Sequence, residues 1–375
     1  MAAFLDCGIL ENGFARVRCG ACAAEYLVAF SCKGRGLCPS CAAKRAAELA
    51  AFLREEVLED VGRAQWVFSL PKMLRPYFLY HRPLLGRLCR AAYEVVRELI
   101  AEGAGEPTAR PGMIAVVQTF GDALTWNPHV HALVTRGGWN HEGAWTPLPY
   151  VDQSAAADLL RHKVFHFLRA EGLLTEERTE MLLSWRHSGF SVHNTVTVAP
   201  DDGDGLERLA RYLLRAPVSL ERLTFDEEAG LTSYRCRPGR EPFTGETAGC
   251  DATELLARVL IHIPEPRRHR VRYYGAYSSV VRARSRKGTQ PLARPTSTEA
   301  SSPTNPERRA LRRLWAALIR HVYEVDPLTC PRCGEPMRIL AFITEPEVVT
   351  KILHHLEVRA AGSRDPPGLR DIQAT

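Results

Sequence analysis

The sequence predicts a protein of mixed helices and strands headed by a cysteine-rich module. Three observations predict it. Six of the eleven cysteines fall within the first 41 residues. Beyond residue 65, short β-branched runs alternate with stretches of helical periodicity. Two of those runs, 113–121 and 129–135, follow one another closely enough to pair as an antiparallel hairpin.

The 375 residues leave room for two or three domains. A hydrophobic share of 45% against 25% charged residues excludes a globally disordered chain. No apolar run approaches the ~18 residues of a membrane-spanning helix. The N-terminus MAAFLDCGILENGFARVRCG lacks a basic stretch followed by an apolar one, so no export signal is expected. Reduced thiols and metal coordination are therefore expected rather than disulfides.

The elements follow in order. Residues 1–60 form the cysteine module, and the alanine- and leucine-rich run after Cys41 reads as its helix. QWVFSL is a strand stopped by Pro71. PLLGRLCRAAYEVVRELIAEG is a helix closed by Gly103. The strands MIAVVQTFG and HVHALVT flank the turn-rich GDALTWNP, and Gly137 and Gly138 end the second. Residues 153–183 read as helical, and 188–199 alternate as a strand. LERLARYLLR (206–215) is a helix halted by Pro217, LTSYRCR a further strand, and 252–263 a helix halted by Pro264. Residues 288–307 have linker composition. A basic helix (308–325), a CPRCG turn and a short LAFIT strand make a small C-terminal segment. The predicted division is 1–60, 61–287, linker 288–307, 308–360 and a tail, 361–375.

Cys19-x-x-Cys22 and Cys38-x-x-Cys41 are separated by fifteen residues. Four thiolates at that spacing suit a closed, structural zinc site. The alternatives are unliganded buried cysteines or a redox pair. Cys7 and Cys32 read as spare thiols, packed in the core or serving as alternative ligands. Such a module would present Lys33, Arg35, Lys44 and Arg45 to phosphates. Cys330-Pro-Arg-Cys333-Gly is half a zinc knuckle, read as a second zinc site or as a bare turn. Cys236, Cys250, His354 and His355 are its candidate partners.

His129 and His131 lie two apart in a strand, so both imidazoles share one face. They make two corners of a divalent-metal site; solvent-facing or core histidines are the alternative. With Phe120 placed opposite His129, Gln118 falls opposite His131 on the same face as a neutral oxygen ligand. Tyr212 sits in a helix with Arg208, Arg211 and Arg215. Cations beside a phenol favour phenolate and can orient a phosphate, although a helical tyrosine also suits a core.

Charge is modest overall, with 49 Lys and Arg against 43 Asp and Glu, a net +6. Its distribution is uneven. Arg267, Arg268, Arg270, Arg272, Arg282, Arg284, Arg286, Lys287 and Arg294 are accompanied by no acid, and Tyr273, Tyr274 and Tyr277 interleave. Clustered cations and aromatic rings suit single-stranded nucleic acid; a solvated basic loop is the bland alternative.

FSCKGRGLCPSC, QTFGDALTWNPHVHALV, RYLLRAPVS, HIPEPRRHRVRYYGAYS and VYEVDPLTCPRCGEPMRILAFIT, in this order, resemble the insertion-sequence 91-like transposases. These are rolling-circle enzymes named for a His-hydrophobe-His (HUH) motif. The resemblance runs from about residue 7 to about residue 356. It implies an α+β fold: a zinc module, then a mainly antiparallel sheet bearing the histidines with helices on its face, as in HUH endonucleases. It implies a bacterial, cytoplasmic enzyme without a membrane partner that acts on transposon ends. One DNA strand would be cut by Tyr212 through a 5′-phosphotyrosine link, with Mg²⁺ or Mn²⁺ at His129 and His131.

Two departures stand out. Arg208 occupies the place where paired-tyrosine relatives carry a second nucleophile, which places this chain with the single-tyrosine branch. The chain also begins almost at its cysteine module, as an N-terminally truncated copy would. A plasmid replication initiator or relaxase of the same chemistry is one alternative; an inactive, zinc-dependent DNA-binding protein is another. The sequence sets no oligomeric state.

Overall fold

The computed structural model describes residues 7–32, 36, 38–121, 124–148, 150–219, 222–235, 246–265, 268–286, 330, 332–335, 337–355 and 370–371. The expected linker at 288–307 and the expected basic helix at 308–325 lie outside them. The fold class is α+β. Among the described residues no helix is long and apolar enough to cross a membrane.

The strands in chain order are β1 (Phe14–Cys19), β2 (Glu25–Ala29), β3 (Arg63–Ser69), β4 (Gly112–Phe120) and β5 (Trp126–Thr135). There follow β6 (Gly137–Trp139), β7 (Trp145–Pro147), β8 (Ser191–Val198), β9 (Leu223–Asp226) and β10 (Leu231–Arg235). The last are β11 (Glu246–Asp251), β12 (Val271–Gly275), β13 (Met337–Ile343) and β14 (Arg370–Asp371). They divide between two compact units.

One unit joins residues 1–49 to 298–375, with 214–216. Its sheet has the order β13-β1-β2-β14, antiparallel throughout. The LAFIT strand, expected in a separate C-terminal segment, is thus an edge partner of β1. The cause is apolar: Leu10, Phe14, Leu27 and Ala29 are covered by Val349 and Leu353 of the Pro346–His355 helix. Gly13 has φ +110°, and a Cβ there would lie 2.9 Å from the Ile343 carbonyl. Only glycine enters β1 at that approach without strain.

The other unit spans 50–213 and 217–297. Its central sheet has the order β12-β4-β5-β3-β8, and every neighbouring pair is antiparallel. The period of two gives the sheet two different faces. Trp66 and Phe68 of β3, Met113 and Ala115 of β4, and Val130, Ala132 and Val134 of β5 form one face. They pack against the helices Leu84–Gly103 and Gln153–Ala170. Leu88, Val95, Val96 and Ile100 of the first helix are essentially fully buried there, each contributing roughly 1.5–3 kcal/mol. Asp152 starts the second by accepting the Ala155 N–H at 2.7 Å.

The opposite face carries Gln118, His129 and His131. The helix Gly203–Leu214 buries Leu206, Leu209, Ala210 and Leu213, spaced by three or four residues. Asp202 caps its start by accepting the Gly205 N–H at 2.6 Å. A smaller sheet, β11-β10-β9, and the helix Ala252–Leu260 stand between this helix and β12 in the chain.

Candidate active site

The register of the histidine strand differs from the expected one by two residues. Gln118 pairs with His129, Val116 with His131, and Phe120 with Trp126. The cause is the length of β5. It begins at Trp126, so the expected turn residues Trp126, Asn127 and Pro128 belong to the strand, and the hairpin closes through Gly121 N–H to Thr125 O at 3.0 Å. An irregularity between Gln118 and Phe120 absorbs the difference. A shift of two leaves side-chain parity intact, so Gln118 still shares the histidine face.

His129 and His131 are 8% and 1% exposed, and their rings are 4.7 Å apart between centroids. His129 Nδ1 donates to the Asn127 carbonyl at 2.7 Å. That bond sets the tautomer and leaves Nε2 as the nitrogen with a lone pair, the arrangement of a metal-ligating histidine. Two imidazoles and an amide oxygen fit a divalent cation by donor type. Tyr212 sets its ring edge-on against His131, with centroids 4.9 Å apart and planes at 89°. The phenol and the imidazoles therefore meet at one place, through a contact of the edge-to-face kind.

Gln118 is 1% exposed. Its Nε2 donates to the carbonyls of Tyr212 at 2.8 Å and Leu213 at 3.1 Å. These are last-turn carbonyls, which have no acceptor role inside the helix. The sheet thus caps the C-terminus of the tyrosine helix with the residue expected only as a cation ligand.

The helix cations are differently engaged. Arg211 donates twice to Glu207, at 3.0 and 2.8 Å, and exposed Arg208 lies 3.9 Å from Asp202. Arg215 follows the end of the helix and is half-buried.

The basic, aromatic segment is largely structural. Alternation along β12 sends Tyr274 to the helix-covered face, where it stacks on Tyr93 with centroids 5.1 Å apart. Arg272 lies on that same face: a Cβ on Gly86, in the Leu84–Gly103 helix, would meet its guanidinium at 3.2 Å. Burial pushes the Tyr274 hydroxyl up to about 12. Tyr277 is 1% exposed, lies against Gly112, and is likewise raised to about 12 by burial. Neither tyrosine offers a ring to a base, which corrects the expectation for Tyr274 and Tyr277 and withdraws Arg272 from the DNA-facing set. Tyr273 faces the other way, with Arg282 5.6 Å over its ring and Phe52 edge-on. Arg282 also donates to the carbonyls of Tyr277 and Glu56. Arg268 is exposed and 3.2 Å from Glu265; Arg284 is exposed and Arg270 half-buried. Arg267, Lys287 and Arg294, with the Arg286 side chain, lie outside the described residues.

Two residues escaped the sequence reading. Gln65 Nε2 is 3.5 Å from His131 Nδ1, and His193 stands in the same row, Val67 pairing with both His131 and His193. Period-two parity held the signal, but only once β3 was known to lie between β5 and β8.

The expected four-cysteine set is divided. Cys38 and Cys41 gather with Cys7 and Cys32, and Cys19 and Cys22 with Cys330 and Cys333. Within each group the sulfurs lie within 4.8 Å of one another, and all eight cysteines are free thiols. Cys7 and Cys32 are thus cluster members: of their two readings, the alternative ligand holds and the core thiol does not. Cys7 Sγ is 3.7 Å from Cys38 and 4.0 Å from Cys41, and Cys32 is 3.4 Å from Cys41. A tetrahedron with ~2.3 Å zinc–sulfur bonds has edges of about 3.8 Å, so this donor set fits zinc. The Cys22 N–H holds the Cys19 thiol down, at about 7. Cys236 lies outside the described residues, and exposed His354 and His355 belong to neither group. Of the cations expected to face phosphates from this module, Arg45 is exposed; Lys33, Arg35 and the Lys44 side chain lie outside the description.

Residues 1–70 match the transposase zinc-binding domain family, and residues 112–285 match the family described as "Putative transposase". The second match spans Gln118, both histidines and Tyr212. The chain belongs to the insertion-sequence 91-like transposases. It is 26% identical to the transposase for insertion sequence element IS801 of Pseudomonas savastanoi pv. phaseolicola, over 91% of this chain and 82% of that one. It is also 26% identical to "Putative transposase y4qJ" of Sinorhizobium fredii, over 68% of each. No solved structure matches. The zinc-binding module of this transposase holds both cysteine groups' N-terminal members, and zinc is its metal.

Proposed function

We propose that this transposase nicks single-stranded DNA at transposon ends by attack of the Tyr212 hydroxyl on a backbone phosphorus. The new bond joins phosphorus to the phenolic oxygen, and the bond to the 3′ oxygen breaks. The 3′ oxygen leaves as a hydroxyl after taking up a proton, and the 5′-phosphate stays on Tyr212. Bond energy is conserved in the phosphotyrosine, so a second 3′-hydroxyl can reverse the step without a nucleotide cofactor.

The observation that carries this reading is the 4.9 Å edge-to-face contact of Tyr212 with His131, beside His129. His129, His131 and the amide oxygen of Gln118 would hold Mg²⁺ or Mn²⁺, which supplies Lewis-acid stabilisation of charge on the non-bridging phosphate oxygens. Gln118 fixes the last turn of the tyrosine helix, so the phenol is positioned before substrate arrives. Residues 61–287 form the catalytic domain in this reading. Arg208, Arg211, Arg268, Arg270 and Arg284 grip the backbone, beside Tyr273 under the Arg282 guanidinium.

The test is a covalent-adduct assay on an oligonucleotide of the element's own terminal sequence. Tyr212→Phe abolishes the adduct while retaining single-strand binding. An adduct that survives in Tyr212→Phe refutes the assignment.

A further inference from the structure

We propose that Cys19, Cys22, Cys330 and Cys333 hold a zinc ion of their own, in a zinc ribbon whose two knuckles come from opposite ends of the chain. The inference is independent of the nicking mechanism, and either stands if the other fails.

The sulfur geometry is the first support. Cys19 Sγ is 3.5 Å from Cys333, and Cys22 Sγ is 3.5 Å from Cys330 and 3.4 Å from Cys333. These lengths are near the ~3.8 Å edge of a zinc–thiolate tetrahedron and far beyond the ~2.05 Å of a disulfide.

The backbone is the second. Each Cys-x-x-Cys is a tight turn of the same design. The Cys19 N–H donates to Ala24 O, and the Cys330 N–H donates to Glu335 O, both at 2.8 Å and both across five residues. Each turn leaves its second cysteine through a left-handed residue: Ala23 at φ +59° and Gly334 at φ +77°. A non-glycine residue in that region costs of order 1 kcal/mol or more. Ala23 is held there by the same turn that aims Cys19 and Cys22 at one point.

The sheet is the third. Cys19, at the end of β1, pairs with Met337, at the start of β13. The strand entering one knuckle is therefore bonded to the strand leaving the other. Val17, Cys19, Tyr26, Cys330 and Met337 form one small core beneath the sulfurs. Cys333, by contrast, is exposed. A thiol retained only for packing has no reason to stand at the surface within 3.5 Å of two others.

Zinc binding displaces the protons of whichever thiols are still protonated and needs no oxidant. The ion would make residues 330–355 part of the N-terminal module, so the two ends of the chain form one metal-held unit.

The experiment uses the full-length protein purified without chelator. Elemental analysis returns two zinc ions per chain for the wild type, one per group. Cys333→Ser and Cys38→Ser each return one. A wild-type value of one that Cys333→Ser leaves unchanged overturns the proposal. A measurement on the unmutated chain guards against misfolded variants. In the zinc-loaded protein, exposed Cys333 resists alkylation; after chelation it is modified together with Cys19, Cys22 and Cys330. Modification of Cys333 at the rate of an ordinary surface thiol before chelation overturns it too. So does recovery of Cys19–Cys333 or Cys22–Cys330 disulfide-linked peptides from the freshly purified protein.

Discussion

Replacing Gln118 with methionine separates two roles that one side chain can play in this site. As a cap, Gln118 donates to the Tyr212 and Leu213 carbonyls at 2.8 and 3.1 Å. As a cation ligand, it offers only its oxygen. Methionine keeps the volume and removes both hydrogen bonds. The Leu213 end of the pair is buried and the Tyr212 end half-buried. An orphaned buried carbonyl costs about 1–3 kcal/mol and a partly solvated one less, so Gln118→Met is expected to lose about 3 kcal/mol. For a unit of this size that is a fall of roughly 6–12 °C in the unfolding midpoint. The assay is thermal unfolding in metal-free buffer, where ligand function is silent. Gln118→Glu discriminates further. A ligand role tolerates a carboxylate and tightens cation binding; a capping role is damaged by it, because an anion then faces two carbonyl oxygens. If Gln118→Met unfolds within about 0.5 kcal/mol of the wild type, the amide does not hold the tyrosine helix and the argument from geometry fails.

Three further outcomes are expected. Gly275→Ala destabilises the unit that carries the five-stranded sheet by about 3 kcal/mol or more, since φ is +58° and the new Cβ would lie 1.8 Å from the Pro111 carbonyl; urea unfolding reads it, and a loss under about 1 kcal/mol would contradict that close approach. Tyr277→Phe leaves single-stranded DNA affinity unchanged, whereas Arg284→Ala weakens it and lowers the salt dependence by about 0.7 in log–log slope; fluorescence anisotropy across a salt series decides, and weakened binding by Tyr277→Phe would reverse the assignment of that ring to the core. Burial holds the His262 imidazole below its ordinary value; the unfolded chain takes up a proton near pH 6.5 that the folded one resists, so His262 contributes stability fully above that pH and loses it as pH falls. Denaturant midpoints between pH 7.5 and 5.5 should therefore flatten in His262→Gln, and an unchanged slope would remove His262 as the cause.

Elements of strong periodicity were legible from the residues. The helix 84–103, the hairpin of β4 and β5 and the histidine face all follow from local pattern, because amphipathic spacing is a property of one segment. Parity also carried Gln118 to the correct face although its partner was misjudged, since a slip of two preserves the face. What local pattern does not contain is which strand lies beside which. RRHRVRYYGAYS has the composition of a nucleic-acid grip, yet pairing of β12 with β4 turns Arg272 and Tyr274 inward and leaves Tyr273 outward. Composition counts charges and rings without regard to face, so it overstates a binding surface whenever the segment is a strand. Capping of the tyrosine helix by Gln118 was invisible for a related reason, joining as it does residues more than ninety apart.

The division of the cysteines shows the same limit from the side of energetics. Spacing favoured Cys38 and Cys41 as partners of Cys22, because they are near in sequence. Nearness is a weak criterion. Loop-closure entropy grows only with the logarithm of length, so joining Cys22 to Cys330, 308 residues away, costs about 2.6 kcal/mol more than joining it to a cysteine sixteen residues off. A structural zinc contributes ~10–16 kcal/mol at neutral pH, and the β1–β13 pairing closes much of that loop without it. Thiol geometry and sheet register therefore decide the partners, with sequence distance a minor correction. It follows that Cys19→Ser should deplete the zinc shared with Cys330 and Cys333 while leaving the Cys7, Cys32, Cys38 and Cys41 group loaded, a pattern that pairing by sequence proximity cannot produce.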